Sequence, residues 1–404
     1  MKADIEMVPD RGEPVTLMEP LLVGEHSAHR TELNDLALEL AEASQGFRRS
    51  LPPGLVESLA SLVRSMNCYY SNLIEGHDTH PVDIERALKG DYSSDERRRN
   101  LQLEAQAHIA LQQWLDGGAL GDRATTVEGI CELHRRFHER LPEKLLWSED
   151  PHTGERLHVF PGQLRTRDVQ VGQHIAVSPG AVPRFLSRYE EGYAPLSRMQ
   201  KIIAAAAAHH RLVWIHPFLD GNGRVARLMS HAMMLDLLDT AGLWSIARGL
   251  ARQVGEYKRH LAACDQPRRD DVDGRGALSE ENLAAFTAFF LRTCLDQVRF
   301  MEALMKPESL RTRIQLWAEE QVRLGKLPGR VQAVLDAILY RGELLRADVA
   351  AVVGTGERQA RRVTSALIES GVLTSGSSRA PLRLAFPAEL ASRWVPGLFP
   401  EKLG

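Results

Sequence analysis

The most chemically informative stretch of the chain runs from His216 to Arg227 and reads HPFLDGNGRVAR. It places a histidine, a carboxylate, a Gly-Asn-Gly turn and two arginines within twelve residues. Glycine tolerates positive φ and lets a ligand approach the backbone closely, so the N–H groups of such a turn can cradle an anion. The stretch therefore predicts a binding site for a polyphosphate with a base beside it.

Each residue type in this stretch is suited to a separate task. The run from Arg224 to Leu238 is rich in Ala, Leu, Met and Arg. It predicts a helix whose N-terminus favours phosphate. Arg224 and Arg227 are three residues apart, so they share a face of that helix and suit the outer phosphates. Asp220 is placed to hold a hard cation such as Mg²⁺, and His216 is placed to accept a proton from an attacking hydroxyl.

A lone Gly-Asn-Gly is usually only a turn, but the whole stretch resembles the signature of the Fic family, HxFx(D/E)GNGRxxR. Its fixed positions are filled by His216, Phe218, Asp220, Gly221, Asn222, Gly223, Arg224 and Arg227. The resemblance implies a protein adenylyltransferase that moves AMP from ATP to a Ser, Thr or Tyr hydroxyl of a protein. It also implies His216 as general base, Mg²⁺ at Asp220 and ATP on the remaining loop residues and the arginines.

Tyr257, in VGEYKRHL, resembles the tyrosine that Fic proteins often place near the adenine base. The family frequently has a second aromatic residue where this chain has Lys258. The resemblance therefore implies a nucleotide-binding role for Tyr257 in a base pocket that departs from the family pattern.

A second motif lies well before the signature, at the end of a predicted amphipathic helix over 55–76. Apolar residues recur there in steps of three and four, at Leu55, Leu59, Leu62, Met66, Tyr69 and Leu73. Taken alone, Ser71 and Glu75 are typical of a solvated helix end. The sequence SNLIEG, however, resembles the Fic inhibitory motif (S/T)xxxE(G/N). Its fixed positions are filled by Ser71, Glu75 and Gly76. The resemblance implies that Glu75 pairs with Arg227 and holds ATP in an unproductive pose.

Composition excludes several classes of protein. The chain has 404 residues, 44% hydrophobic and 25% charged, with a net charge of -3, so it has no global attraction for nucleic acid or anionic membrane. It contains no apolar run long enough to span a membrane and no signal peptide, and its four cysteines are scattered without CxxC spacing. We expect a cytoplasmic protein with reduced thiols.

The order of patterns predicts a mainly α protein with a helical bundle and one β-hairpin. The resemblance implies a Fic helical bundle whose flap is that hairpin, and the C-terminal pattern resembles a small winged helix-turn-helix domain. We divide the chain into an extended arm (1–30), N-terminal helices (31–100), a catalytic core (101–305) with the flap at 165–178, a linker helix (306–329) and the winged-helix module (330–404). The flap resembles the Fic element that aligns an extended target segment, although a plain surface hairpin would fit the same pattern.

Three other readings stay open at this stage. Some relatives remove AMP, using the inhibitory glutamate, and others transfer UMP, phosphocholine or a terminal phosphate. A DNA-binding regulator with the Fic domain as a sensor is the reading of another class. DNA is less favoured than a protein partner or a homodimer, because Glu357 and Glu369 dilute the basic residues of the third helix of the module.

Overall fold

The computed structural model describes residues 8–150 and 153–399. The first seven residues of the predicted arm and residues 400–404 of the predicted winged-helix module lie outside the described residues. Within the described ranges the chain is mainly α-helical, and no helix there has both the length and the apolar content to cross a membrane.

The N-terminal part of the chain forms four helices. They are α1 (Arg30–Arg49), α2 (Pro53–Ile74), α3 (Pro81–Leu88) and α4 (Glu96–Asp116). A proline at the first turn of α2 and of α3 suits a position where the N–H has no helical partner. The predicted inhibitory helix is α2, and it ends one residue before Glu75, which is its C-terminal cap.

The central part contains seven further helices. They are α5 (Val127–His138), α6 (Val182–Tyr193), α7 (Arg198–Ile215), α8 (Asn222–Leu238), α9 (Ile246–Arg252), α10 (Val254–Cys264) and α11 (Glu280–Leu304). The small side chains from Ala204 to Ala208 are almost fully buried, and α7 packs against α8, α11, α1 and α6. Small residues let neighbouring helices approach closely, so α7 lies at the centre of the bundle and delivers His216 at its C-terminal end.

Two short antiparallel hairpins lie between α5 and α6. The first joins β1 (Trp147–Glu149) to β2 (Arg156–His158), and the second joins β3 (Gln170–Val171) to β4 (His174–Ile175). The second is the predicted flap. The first was not predicted, because its three-residue strands are too short to show a clear alternation.

The C-terminal part follows α12 (Pro307–Arg323), the predicted linker helix. It contains α13 (Val331–Arg341), α14 (Val349–Val353), α15 (Glu357–Glu369), β5 (Leu373–Thr374), β6 (Arg383–Leu384) and α16 (Ala391–Trp394). Gly354 turns the chain between α14 and α15 with φ 64°, and β5 pairs antiparallel with β6. Three helices followed by a hairpin are the element order that a winged helix-turn-helix requires, and the assignment of this part as a winged-helix domain stays a prediction.

The C-terminal part packs directly onto the helix that carries Ser71 and leads to Glu75. The buried Tyr70 hydroxyl of α2 donates to the Leu398 carbonyl at 2.9 Å, and the rings of Tyr69 and Phe399 meet edge to face at 5.8 Å. Arg248 donates to the Gly397 carbonyl at 2.8 Å. The end of the described chain is thus held between α2 and the bundle.

Candidate active site

His216 caps the C-terminus of α7 in the left-handed backbone region, with φ 51° and ψ 62°. Its ring Nδ1 lies 3.3 Å from the Val213 carbonyl, which can only accept a hydrogen bond. Nδ1 therefore carries the ring hydrogen and Nε2 keeps its lone pair. Burial, chiefly, and the nearby charge of Arg165 lower the pKa of His216 to about 4. The imidazole is neutral at physiological pH and can accept a proton.

The predicted anion loop begins at Gly221, which precedes the first residue of α8 with φ 78°. A Cβ there would also lie 2.8 Å from Cε1 of His138, so both the turn and the close approach require glycine. The Asn222 side chain closes on the loop itself, accepting from the Phe218 N–H at 2.9 Å and donating to the Phe218 carbonyl at 2.8 Å. Asn222 thus shapes the loop with its side chain, and only its backbone N–H is left for an anion.

Asp220 is exposed at the edge of this loop. Its Oδ1 accepts from the Gly221 N–H at 2.7 Å, and no cluster of three or more His, Cys, Asp or Glu side chains that could hold a metal occurs among the described residues. A single exposed carboxylate beside a phosphate cradle suits Mg²⁺, which takes one or two carboxylates and completes its shell with phosphate and water oxygens.

The two arginines of the loop helix point to different partners. Arg224 donates to Glu104 Oε2 at 2.7 Å and to His77 Nδ1 at 3.1 Å, while its buried Nε has no partner. Arg227 donates through Nε to the Ser71 hydroxyl at 3.0 Å and through the fork to Glu75. Both guanidinium groups are therefore buried and already satisfied in part by protein oxygens.

Glu75 covers the loop as well as Arg227. A Cβ at Gly223 would lie 2.7 Å from Glu75 Oε1, so the carboxylate touches the first turn of α8. Burial raises the pKa of Glu75, but the charge and hydrogen bond of Arg227 outweigh it, and the net pKa is lowered. An ionised carboxylate at a helix N-terminus, paired with an arginine, occupies the position that a phosphate oxygen would prefer.

Tyr257 lies in the core of the bundle, where 3% of its surface is exposed. Its hydroxyl is 2.7 Å from His209 Nε2, and His209 Nδ1 is 2.9 Å from the Ser230 hydroxyl. Burial raises the pKa of Tyr257 to about 12, so the group stays a neutral phenol. The contact with His209 is structural, and a role for Tyr257 in nucleotide binding remains a prediction.

The flap lies against the C-terminal end of α7, which leads to His216. His174 of β4 approaches the Trp214 carbonyl with Nε2 at 2.7 Å, and the exposed side chains of Val171 and Ile175 face away from the core. The arm supports the base of the flap, because the Arg11 N–H donates to the Ser178 hydroxyl at 3.0 Å and Glu13 accepts from the Ser178 N–H at 2.8 Å. The flap is therefore held from both sides, against α7 and against the arm.

Three side chains of the site were not predicted from the sequence. Glu104 binds Arg224 from α4, and His138 underlies Gly221 from α5. Arg165, the first residue of the predicted flap range, binds the His216 carbonyl at 2.7 Å. None belongs to a motif, and the signal for Arg165 was its position at the start of the predicted flap.

An anion loop at the start of a helix, a histidine at the end of the helix before it and a hairpin alongside define a Fic-type domain. Residues 124–234 match the model of the Fic/DOC family, which spans the flap, the base and the loop. The match thus identifies a Fic domain within the chain, over residues 124–234.

Relatives and solved structures agree with this assignment. The chain is 27% identical over 219 residues to the protein adenylyltransferase Fic of Drosophila ananassae and to that of Drosophila melanogaster. Each alignment covers 52% of this chain, and 41% and 42% of the respective relative, so the chain spans less than half the length of these relatives.

The fold is similar to that of two solved structures. A Fic family protein from Desulfovibrio desulfuricans G20 aligns with a TM-score of 0.52 and 16% identity over 90% of this chain and 98% of that chain. Fic-1 of C. elegans, residues 134–508, aligns with a TM-score of 0.50 and 17% identity over 68% of this chain and 73% of that chain. At these identities the likeness supports the fold alone.

Proposed function

We propose that the chain is a protein adenylyltransferase that transfers AMP from ATP to a Ser, Thr or Tyr hydroxyl of a protein and is restrained by Glu75. The observation that carries the proposal is the neutral imidazole of His216, with its Nε2 lone pair available, next to a loop and two arginines that suit a triphosphate. The Drosophila relatives, which are named protein adenylyltransferases, support the same chemistry.

In the proposed reaction the target hydroxyl oxygen attacks the α-phosphorus, and the bond from that phosphorus to the oxygen bridging to the β-phosphate breaks. His216 Nε2 takes the hydroxyl proton, and pyrophosphate leaves. The N–H groups from Gly221 to Gly223 lie at the N-terminus of α8, where they can stabilise the charge that develops on the α-phosphate. Arg224 and Arg227 would bind the outer phosphates.

Asp220 would hold Mg²⁺, which neutralises phosphate charge and orients the triphosphate when bound. Its exposed carboxylate, with Oδ1 fixed by the Gly221 N–H, is the residue of the loop whose donors fit that ion. The protein supplies the remaining electrostatic stabilisation through the loop and the two guanidinium groups.

Glu75 restrains AMP transfer because its carboxylate competes with the γ-phosphate of ATP for Arg227. Arg227 cannot direct its fork at a γ-phosphate while the same fork binds Glu75. The carboxylate also lies against Gly223 and adds negative charge next to the triphosphate position. ATP would therefore bind in a pose that does not bring the α-phosphorus to the attacking hydroxyl.

Removal of AMP from a modified protein is the second candidate, and the exposure of Glu75 favours it. The Glu75 side chain keeps 36% of its surface exposed, against 4% for Arg227, so a water molecule can reach the carboxylate. Incubating AMP-modified target with the protein and Mg²⁺, without ATP, distinguishes the two: release of AMP identifies the removing activity. DNA binding by α15 stays a prediction.

The test of the proposed function is transfer from differently labelled ATP. Glu75→Gly protein added to a host lysate with ATP labelled at the α-phosphate should label polypeptides beyond those labelled in the lysate alone, whereas ATP labelled at the γ-phosphate should give no such additional label. Label arriving from the γ-phosphate instead would show a kinase, and label from neither would reject nucleotidyl transfer.

A further inference from the structure

Arg165 is a buried arginine that belongs to none of the recognised motifs. Only 2% of its surface is exposed, and it has no carboxylate within salt-bridge distance among the described residues. Its partners are instead backbone carbonyl oxygens on both sides of the site. Burying an arginine without a counter-ion is costly, and burial indeed lowers the pKa of Arg165 to about 10.

The carbonyls that Arg165 binds belong to two segments that must meet during transfer. Nε donates to the His216 carbonyl at 2.7 Å and the fork donates to Ile215 at 3.4 Å, at the end of α7. The same fork donates to the carbonyl of Val177, which follows β4 within the flap range. The backbone N–H of Arg165 also donates to the Pro217 carbonyl at 2.9 Å. Arg165 therefore binds the backbone of His216 and of the residues on either side of it.

His216 is the residue that most needs such support. Its backbone has φ 51°, a left-handed conformation that is unfavourable for a residue with a side chain and persists only where its surroundings impose it. The hydrogen bond from Arg165 Nε ends on the carbonyl of this same residue.

We propose that Arg165 is a positioning residue that holds the catalytic base and the flap as one rigid unit. A hydroxyl aligned on the flap is thereby presented to His216 at a constant separation. The guanidinium fork suits this task because it offers several donors in fixed directions, which an ammonium group does not. The inference rests on the proposed function, since it assigns Arg165 to the alignment of that reaction.

The charge of Arg165 also acts on the base. Besides burial, the groups that shift the pKa of His216 are Arg165, His174 of the flap, Asp220 of the loop and the Val213 carbonyl. Arg165 and His174 lower the pKa of His216, while Asp220 and the carbonyl raise it. Replacing Arg165 by a neutral residue removes a positive charge and admits water, and both changes raise the pKa of His216 toward its ordinary value.

The experiment compares Arg165→Lys and Arg165→Gln in a Glu75→Gly background, with Arg211→Lys as the matched control. Arg211 is also fully buried and also donates to a backbone carbonyl, that of Pro20 at 2.8 Å, but on a part of α7 away from the loop. We expect both Arg165 variants to lose about 100-fold in the rate of AMP transfer, the scale of loss for a misplaced catalytic group. Binding of a non-hydrolysable ATP analogue should change less than about twofold, because Arg165 binds only carbonyls.

A second readout separates positioning from general support of the fold. Histidine NMR titration should show the pKa of His216 raised in Arg165→Gln and unchanged in Arg165→Lys and Arg211→Lys. Unchanged transfer in Arg165→Lys, an unchanged His216 pKa in Arg165→Gln, or loss of ATP-analogue binding together with transfer would each overturn the proposal. If the Glu75→Gly parent itself transfers no AMP, the proposed function fails instead, and the two failures are thus distinct.

Discussion

At the scale of single residues, the site is defined by what each charged group already touches. Arg224 and Arg227 are the proposed phosphate ligands, yet each guanidinium is bound to a protein carboxylate. The signature residues were predictable because they lie within twelve residues of one another. The partner Glu104 was not, since it lies 120 residues from Arg224 in sequence and meets it only through the packing of α4 on α8.

Replacing Glu75 by glycine should increase AMP transfer, including self-modification, by about tenfold or more. The charge-assisted hydrogen bond between Glu75 and Arg227 contributes roughly 1.5–3 kcal/mol, and this free energy stabilises the restrained arrangement of the unaltered protein. The substitution removes that contribution. The backbone tolerates glycine here, because Glu75 is a helix cap with φ -79° and ψ 0°. The measurement is incorporation of label from α-labelled ATP.

Lys89→Gly is the matched control for this substitution. Lys89 caps α3 in nearly the same backbone conformation, φ -90° and ψ 2°, and its exposed side chain pairs only with Glu85. It should label like the unaltered protein. Equal labelling by folded Glu75→Gly and Lys89→Gly proteins would remove the inhibitory role from Glu75.

At the scale of elements, helix α2 connects the C-terminal part to Arg227. Tyr70 binds the carbonyl of Leu398, and the next residue, Ser71, binds Arg227. The helix itself was predictable from its three- and four-residue apolar steps. Its contact with the end of the chain was not, because a tyrosine on an apolar stripe has the same appearance in sequence whether its hydroxyl finds a partner or not.

Tyr70→Phe should therefore raise basal AMP transfer by about fivefold. The lost buried hydrogen bond is worth about 1 kcal/mol net, which loosens the position of α2 and the grip of Glu75 on Arg227. Tyr193→Phe is the control, since that hydroxyl also donates to a buried carbonyl, of Leu21 at 2.8 Å, but in a part of the bundle remote from α2. If Tyr70→Phe and Tyr193→Phe show the same rate of AMP transfer, the contact between Tyr70 and Leu398 does not affect Glu75 through α2.

At the scale of the whole molecule, the bundle contains several histidines that fold in the neutral form. Burial, as the largest cause, lowers the pKa of His108 to about 3, of His209 to about 3 and of His210 to about 4. His209 and His210 are fully buried and have hydrogen-bond partners. How deeply each of these histidines is buried depends on how the helices pack, so it could not be predicted from the sequence.

The protein should lose stability as the pH falls from about 6.5 to about 4. In that range the unfolded chain binds protons at these histidines and the folded chain does not, so acid favours unfolding. Each such histidine contributes up to about 1.4 kcal/mol per pH unit. Thermal unfolding followed from pH 7 to pH 5 tests this, and a melting temperature that stays constant over that range would contradict neutral burial.

The central claim is that His216 removes the proton from a hydroxyl that takes AMP from ATP. The most direct measurement compares Glu75→Gly with Glu75→Gly/His216→Ala for transfer of α-labelled AMP and for binding of a non-hydrolysable ATP analogue. Loss of a general base should lower transfer by about 10²- to 10⁴-fold while binding is retained. Transfer by the double variant at a rate close to that of Glu75→Gly would contradict the account.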